Sequence, residues 1–136
     1  MQFDTKVALV IRSDLEAWQK LNVAAFLASG IAAAFPEAMG APYEDGSGTV
    51  YHALLGQPIL IYGGDAAALT RALDRAWSRA VKPAVYTEAM FKTTHDAANR
   101  AAVKAVARGD LALVGLGFRA ERKVIDKVVD GLKFHV

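Results

Sequence analysis

The 136-residue chain contains no cysteine. This absence excludes a disulfide framework, a thiol nucleophile and a thiolate metal site, and it is compatible with the reducing cytoplasm, where we expect the protein to be located. The first six residues also lack the basic-then-apolar pattern of a signal peptide. The three histidines, His52, His95 and His135, have no metal-ligand spacing, so we expect neither a metal ion nor another cofactor.

Long apolar runs and a strong charge of one sign are also missing. The longest nearly apolar stretch, residues 21–35, is shorter than the roughly 20 residues that a bilayer span needs, so we predict a buried helix and no membrane contact. The net charge is only +2. Arg71, Arg75 and Arg79 form a basic stripe at helical spacing, but Asp74 interrupts it. These features permit contact with nucleic acid without favouring it.

What the chain does contain is typical of a compact fold. Apolar residues make up 54% of the sequence and charged residues 22%, which argues against disorder. A chain of this length forms one domain, so residues 1–136 are predicted to be a single α/β domain.

Four apolar runs predict core strands, at residues 7–11, 58–62, 83–87 and 111–117. Helical patterns lie between and after them, at residues 21–35, after Asp65, at about 94–107 and at 121–129. Residues 132–136 are consistent with a short edge strand. Strands that alternate with helices predict a three-layer α/β/α sandwich with a mixed, mostly parallel four-stranded sheet.

Three local details are predicted less completely. The Ser13-x-x-Glu16 pattern suits a capping box, which would start a helix before residue 21, and Asn22 is an alternative cap of a separate helix. The irregular segment 36–57 contains the turn signal Asp45-Gly46 between Tyr43 and Tyr51, which favours a short hairpin. The helix after Asp65 should bury one apolar face, consisting of Leu69, Ala72, Leu73, Ala76, Trp77 and Ala80.

The densest polar cluster follows the third predicted strand. It consists of Lys92, Thr93, Thr94, His95 and Asp96, with Asn99 one helical turn further on. Ligands of open α/β sheets bind at the carboxyl ends of strands, and histidine is suited to proton transfer near neutral pH. The alternative is purely structural: Thr94 or Asp96 caps the next helix and His95 is solvated in its first turn.

A second polar group, Arg12, Asp14 and Asn22, flanks the end of the first strand. We expect it to meet the Lys92–His95 cluster if both strand ends open on the same edge of the sheet. Asn22 at a helix start would also present backbone N–H groups to an anion, although a simple capping role explains it equally well.

Two stretches of the chain resemble the type II peptidyl-tRNA hydrolase family. Residues 12–15, Arg-Ser-Asp-Leu, stand where that family has a strand ending in Arg-x-Asp-Leu, and residues 21–26 correspond to its Gly-Lys-x-Ala-Ala-Gln helix pattern. Near the C-terminus, residues 113–117, 124–128 and 131–134 are similar in order and spacing to the family's last strand and its Ile-Asp-Lys-Val and Leu-Lys ending.

The resemblance implies that family's fold, a mixed four-stranded sheet between helices with one antiparallel strand, and makes a dimer plausible. It does not carry the activity, because Asn22 replaces the lysine, Phe26 the glutamine and Ser29 the histidine of the family pattern. The chain also resembles small bacterial proteins of uncharacterised function that share this fold, through the pattern Leu-Asn-Val-Ala-Ala-Phe-Leu at residues 21–27.

Three functions compete on these grounds. The first is binding of a small anionic or nucleotide-containing ligand through Arg12, Asp14, Asn22, Lys92, Thr93, His95 and Asn99. The second is a hydrolase-type enzyme in which His95 acts as acid/base, with Asp96 or Glu88 orienting it. The third is a homodimeric interaction module whose surface includes Met90 and Phe91.

Overall fold

The protein is built on a five-stranded mixed sheet, and the computed structural model describes residues 3–135. The elements in chain order are β1 (Thr5–Arg12), α1 (Ala17–Ala34), β2 (Tyr43–Glu44), β3 (Val50–Tyr51), β4 (Ile59–Gly64), α2 (Ala66–Ser78), β5 (Ala84–Thr87), α3 (Asp96–Lys104), β6 (Leu113–Glu121), α4 (Arg122–Val128) and β7 (Lys133–Phe134). Short 3₁₀ turns at Pro36–Ala38, Glu88–Lys92 and Arg108–Asp110 connect some of them.

The strand order is β5-β6-β1-β4-β7. Strands β1 and β4 are parallel neighbours, whereas the pairs β1–β6, β5–β6 and β4–β7 are antiparallel. The predicted number of four strands is therefore wrong, because the short edge strand β7 is a fifth member, whereas a mixed α/β sheet is confirmed. Strands β1, β4 and β5 run in one direction, and β6 and β7 run in the opposite direction. A parallel neighbour requires a crossover over the sheet face. Helix α3, between β5 and β6, belongs to neither apolar core of the sheet, so β6 returns antiparallel beside β5.

Alternate residues of β1 face two separate cores. Leu9 and Ile11 pack with Val23 and Leu27 of α1 on one side of the sheet. Ala8 and Val10, which alternate with them along the strand, face the other core. That core contains the following side chains of α2, β6 and α4: Leu69, Ala72, Leu73, Ala76, Leu116, Phe118, Ile125 and Val128. Burial of β1 on both faces explains its unbroken apolar run.

Helix α1 is continuous from Ala17, so Asn22 lies inside it and does not cap a separate helix. The capping box forms at Glu16, whose N–H donates to Gln19 Oε1 at 2.9 Å, and not at Ser13. Only Val23, Leu27 and Ile31 are buried, while Leu21 is 73% exposed. The prediction of a buried helix is therefore wrong, because α1 packs on this core with one stripe of residues and its outer face meets solvent.

The other local predictions are confirmed with shifted ends. Tyr43 pairs with Tyr51 in a two-stranded hairpin. Asp65 caps α2 by accepting a hydrogen bond from Ala68 N at 2.8 Å, but Trp77 is 41% exposed and Ala80 lies beyond the helix end. Strand β6 begins later than predicted and continues to Glu121. The edge strand is realised as β7, and Val136, which that prediction also included, lies outside the described residues. Across residues 3–135, no helix is both long enough and apolar enough for a membrane span.

Among the ion pairs of the described residues, the pair made by Lys6 has the most buried cation. Its Nζ lies 2.7 Å from Asp126 Oδ1 and 5.4 Å from the centroid of the Tyr62 ring. Burial lowers the pKa of Lys6, but the hydrogen bonds to Asp126 and Tyr62 outweigh that effect, and the net shift is upward from 10.5. A raised folded-state pKa stabilises the fold below the unfolded-state value, and this stabilisation is lost as the pH rises through the folded-state value.

We expect Lys6→Met to lower the free energy of unfolding by about 1–2 kcal/mol at pH 7, less than a fully buried pair because Asp126 is half exposed. The deficit relative to the native chain should shrink above pH 10.5, where the lysine of the unfolded chain begins to lose its proton while the folded-state Lys6, whose pKa is raised, still holds its own. Urea unfolding at neutral and alkaline pH measures both values. Lys127→Met, on the exposed part of α4, is the control, and a deficit that is constant with pH would contradict the ion-pair explanation.

Candidate binding site

Four aromatic side chains converge between α1 and the segment that follows β5. The ring centroids of Trp18 and Phe91 are 5.9 Å apart, those of Phe26 and Tyr86 5.8 Å, and those of Tyr86 and Phe91 5.3 Å. These separations are typical of favourable edge and tilted contacts. The rings form the wall of a cleft of about 300 Å³, which we call the aromatic cleft. The other residues that line it are Asn22, Met90, Thr93, Thr94, His95, Asp96 and Asn99.

One stripe of α1 provides a side of this cleft. Trp18, Asn22 and Phe26 are spaced by four residues, which places them on the same face of the helix. Trp18 is 61% exposed and Phe26 52% exposed, so two large aromatic side chains present much of their surface to solvent at one place. Tyr86 is buried and lines the cleft beside Asn22. Burial raises the pKa of Tyr86 and the nearby Asn22 amide partly opposes this, so the phenol stays protonated at neutral pH.

His95 caps α3, a position that had been predicted for Thr94 or Asp96. Its Nδ1 accepts a hydrogen bond from Ala98 N at 3.2 Å. When Nδ1 is the acceptor in a neutral imidazole, the proton is on Nε2. His95, which lines the aromatic cleft, therefore carries an N–H donor at Nε2 in its neutral form, and its Nδ1 is already engaged as an acceptor. The predicted structural role, in which Thr94 or Asp96 caps the helix and His95 is solvated in its first turn, is therefore wrong, because His95 itself is the cap. The ligand-binding role of His95 stays a prediction.

The polar side chains that line the cleft are held in place by a hydrogen bond and an ion pair in and next to helix α3. Thr93 Oγ1 hydrogen-bonds to Asn99 Oδ1, and Asp96 forms an ion pair with Arg100 one turn along the helix. Asn99 lines the cleft, and its side-chain amide carries both a donor and an acceptor. The charge of Asp96 is offset by Arg100, so the lining of the cleft is close to neutral.

Arg12, Asp14 and Glu88 form a separate cluster at the end of β1. Arg12 Nε lies 2.7 Å from Asp14 Oδ1, and its Nη1 lies 3.3 Å from Glu88 Oε2. Burial lowers the pKa of Arg12, but the hydrogen bonds to the two carboxylates raise it by more. The net shift of the pKa is therefore upward, and the guanidinium remains charged. Two carboxylates already satisfy this cation, which leaves it little capacity for an anionic ligand.

The predicted site residues therefore fall into two groups, and Lys92 lies outside both. Asn22, Thr93, His95, Asp96 and Asn99 line the aromatic cleft together. Arg12, Asp14 and Glu88 lie in the separate ion-pair cluster, and Lys92 is exposed beside the cleft between two residues that line it. Within residues 3–135, no carboxylate is hydrogen-bonded to His95. The two carboxylates considered for that role, Asp96 and Glu88, are instead paired with arginines.

Sequence reasoning missed the aromatic half of the site. Phe26 and Tyr86 were treated only as parts of a helix and a strand, and Trp18 was not considered, although the spacing of Trp18, Asn22 and Phe26 was a signal that could have identified a shared face. Metal binding finds no support in the part of the chain that the structure describes, where no three His, Asp or Glu side chains are grouped closely enough to hold an ion.

Comparison with known proteins agrees with the fold and leaves the activity open. A solved structure of a protein of unknown function from Agrobacterium tumefaciens strain C58 is 45% identical to the chain, covers 99% of it and 100% of its own length, and superposes with a TM-score of 0.96. No curated protein matches the chain significantly. The model of the family described as "Protein of unknown function (DUF2000)" matches residues 5–136. The chain belongs to the DUF2000 family.

Proposed function

We propose that the protein binds a small nucleotide-like ligand, with the heteroaromatic ring in the aromatic cleft. The observation that carries this proposal is the open wall of Trp18 and Phe26 opposite the hydrogen-bonding groups of His95 and Asn99. Stacking on aromatic rings contributes about 1–3 kcal/mol per base and tolerates different bases. Amide and imidazole N–H groups at the rim then recognise the ring's polar edge.

The anionic part of such a ligand has fewer partners than the sequence indicated. Arg12 is neutralised by Asp14 and Glu88, so we place no phosphate there. Lys92 is exposed beside the cleft, and His95 Nε2 is a donor, so these two residues are the remaining candidates for an anion. The ring therefore supplies most of the binding free energy in this proposal, and the phosphate adds less.

The enzyme hypothesis has weaker support. A hydrolase that used His95 as a base with Asp96 or Glu88 would need a carboxylate beside the imidazole, and both carboxylates are paired with arginines. The relationship to the type II peptidyl-tRNA hydrolase fold also stays a proposal, supported by the mixed sheet and the order of its elements. With Asn22 in place of the family's lysine, we expect no turnover of peptidyl-tRNA. The cytoplasmic location and the homodimer stay predictions.

Ligand binding is tested by tryptophan fluorescence. The chain has two tryptophans, and Trp77→Phe leaves Trp18 as the single reporter in the cleft. Titration with adenosine, AMP and inorganic phosphate should change the Trp18 emission for the first two, with AMP somewhat tighter. Phe91→Ala and Phe26→Ala in this background should weaken binding about tenfold or more, since one stacking contact is removed.

Phe134→Ala is the matched control, because this phenylalanine lies on the far edge strand β7 and should leave the affinity unchanged. Replacing Asn99 by alanine should weaken adenosine binding without changing the response to salt. No change of Trp18 emission with any nucleoside or nucleotide at millimolar concentration would contradict the proposed function, as would binding that Phe26→Ala and Phe91→Ala leave intact.

A further inference from the structure

A second groove lies beside the aromatic cleft, along strand β5 at the edge of the sheet. It has a volume of about 450 Å³ and lies between α1 and α3, with the edge strand as its third side. Its apolar lining consists of Phe26, Leu27, Ala84, Val85, Met90 and Val103. Arg100 and Lys104 of α3 also line it. We call it the edge groove.

The hydrogen-bond pattern of the sheet fixes which way each strand residue faces. Ser13 N donates to Gly64 O at 2.9 Å, so the odd-numbered residues of β1 bond to β4 and the even-numbered residues bond to β6. Val10 therefore exchanges hydrogen bonds with Leu116, its partner in β6. Because the direction alternates along a strand, the next β6 residue in each direction, such as Gly115, directs its backbone groups toward β5.

The same alternation exposes the backbone of Val85. Gly115 pairs with Tyr86, and Gly117 pairs with Ala84, so these two β5 residues use their backbone groups inside the sheet. The N–H and C=O of Val85, which lies between them, face outward into the edge groove. A single residue thus presents a donor and an acceptor next to an apolar surface.

The neighbouring amide has a different partner. Thr87 N–H points to Met90 Sδ at 3.3 Å, so the short 3₁₀ turn closes the edge beyond Val85. On the far side of the groove, α3 has no buried residue, and its half-buried Val103 faces the gap and not the protein core. The groove of about 450 Å³ between α3 and β5 therefore leaves room for an extended segment, and the open backbone of Val85 favours one.

We propose that the edge groove binds an extended apolar peptide segment, which adds to the sheet beside β5 and carries a carboxylate near Lys104. Strand addition is a general mode of peptide recognition, in which backbone bonds give affinity and side-chain pockets give selectivity. An open strand edge is also the part of a sheet most prone to pair with another chain. The charge argument comes from α3: Arg100 is paired with Asp96, whereas no ion pair of the described residues includes Lys104.

Val85→Pro is the sharpest test. Proline removes the outward N–H, and it is tolerated on an edge strand when its missing N–H faces away from the sheet, so the bonds to β6 should survive. Val85→Ile keeps the N–H and is the matched control. Thermal unfolding of both variants checks the fold. Gly30→Leu supplies a second test that does not alter the strand, since a Cβ at Gly30 would lie 3.4 Å from Ala84 Cβ and a longer side chain would fill the groove, whereas Gly30→Ala would not.

Binding peptides are selected on the native chain from a phage-displayed library of random peptides. The selected sequences are then synthesised with a fluorescent label and serve as the probe. Val85→Pro should weaken the selected peptides about tenfold, the loss of one well-made hydrogen bond. Gly30→Leu should weaken them about tenfold or more, because its side chain occupies the groove. N-methylation of one peptide amide should do the same, and Lys104→Glu should remove the preference for acidic peptides. Val85→Ile and Gly30→Ala should bind as the native chain does.

Three results would overturn the proposal. One is that no peptide is selected, and another is that the selected peptides bind equally to Val85→Pro and Val85→Ile. The third is that sedimentation shows self-association of the native chain that Val85→Pro abolishes, which would assign the edge to a second copy. Adenosine titration of the Gly30→Leu variant keeps this test separate from the proposed function, because Gly30 lines the edge groove and not the aromatic cleft.

Discussion

Replacing Phe118 by alanine is expected to lower the free energy of unfolding by about 3–5 kcal/mol. Phe118 is among the largest fully buried side chains, with 0% of its surface exposed, and it fills the core between the sheet and helices α2 and α4. Its removal loses the burial of a whole aromatic ring and leaves a cavity that the surrounding strands and helices can close only partly. Urea unfolding followed by circular dichroism measures the change.

Phe134→Ala is the control for this variant. Phe134 is 60% exposed and stacks on Tyr62 with 5.0 Å between ring centroids, so its loss should cost about 1 kcal/mol. If Phe118→Ala does not fold at all, Phe118→Leu should still fold with a loss of about 1.5 kcal/mol. Equal losses for Phe118→Ala and Phe134→Ala would show that the core on this side of the sheet is not packed as described.

Gly115→Ala is expected to cost about 1–3 kcal/mol and to weaken ligand binding as well. A Cβ atom at this position of β6 would lie 2.5 Å from Val23 Cγ1 and 2.9 Å from Leu27 Cδ1. Both atoms belong to α1, so the helix has to move away from the sheet or its side chains have to leave their rotamers. Because α1 also carries Trp18 and Phe26, such a movement should disturb the aromatic cleft.

A double-mutant cycle separates this clash from other causes. Val23→Ala removes the nearest atom, so Gly115→Ala with Val23→Ala should be less destabilised than the sum of the two single variants. Gly109→Ala is the control, because nothing lies within 4 Å of a Cβ built there. A fully additive cycle, or an equal loss for Gly109→Ala, would contradict the close approach of α1 to β6.

The core strands and the amphipathic helix α2 were predictable because burial on one or both faces produces a recognisable spacing of apolar residues along the sequence. The run from Val7 to Ile11 and the apolar face of α2 with its Asp65 cap are examples. The direction of β6 was not predictable from such patterns, since a buried strand has the same composition in either direction. The extent of β6 was underestimated because Arg119 and Glu121 are polar, although they continue the ladder with β1.

The site was predictable only in part, for a related reason. The polar residues Thr93, His95 and Asn99 were recognisable as a cluster because they are close in sequence. Trp18 and Phe26 come from a helix in which apolar residues are spread around most of the circumference, so composition could not show which side chains are exposed. The capture of Arg12 by Glu88 depends on residues 76 positions apart, and no local pattern indicates it.

Helix α3 has a further consequence for motion within the protein. It buries no residue, contributes to neither apolar core and is anchored by contacts with the 3₁₀ turn before it, which include the bond between Thr93 and Asn99. A segment with few buried apolar contacts opens at a small fraction of the global unfolding free energy. The amide protons of α3 should therefore exchange with deuterium well before those of α1. Both the aromatic cleft and the edge groove share this helix as a wall, so a ligand in either would slow the exchange there.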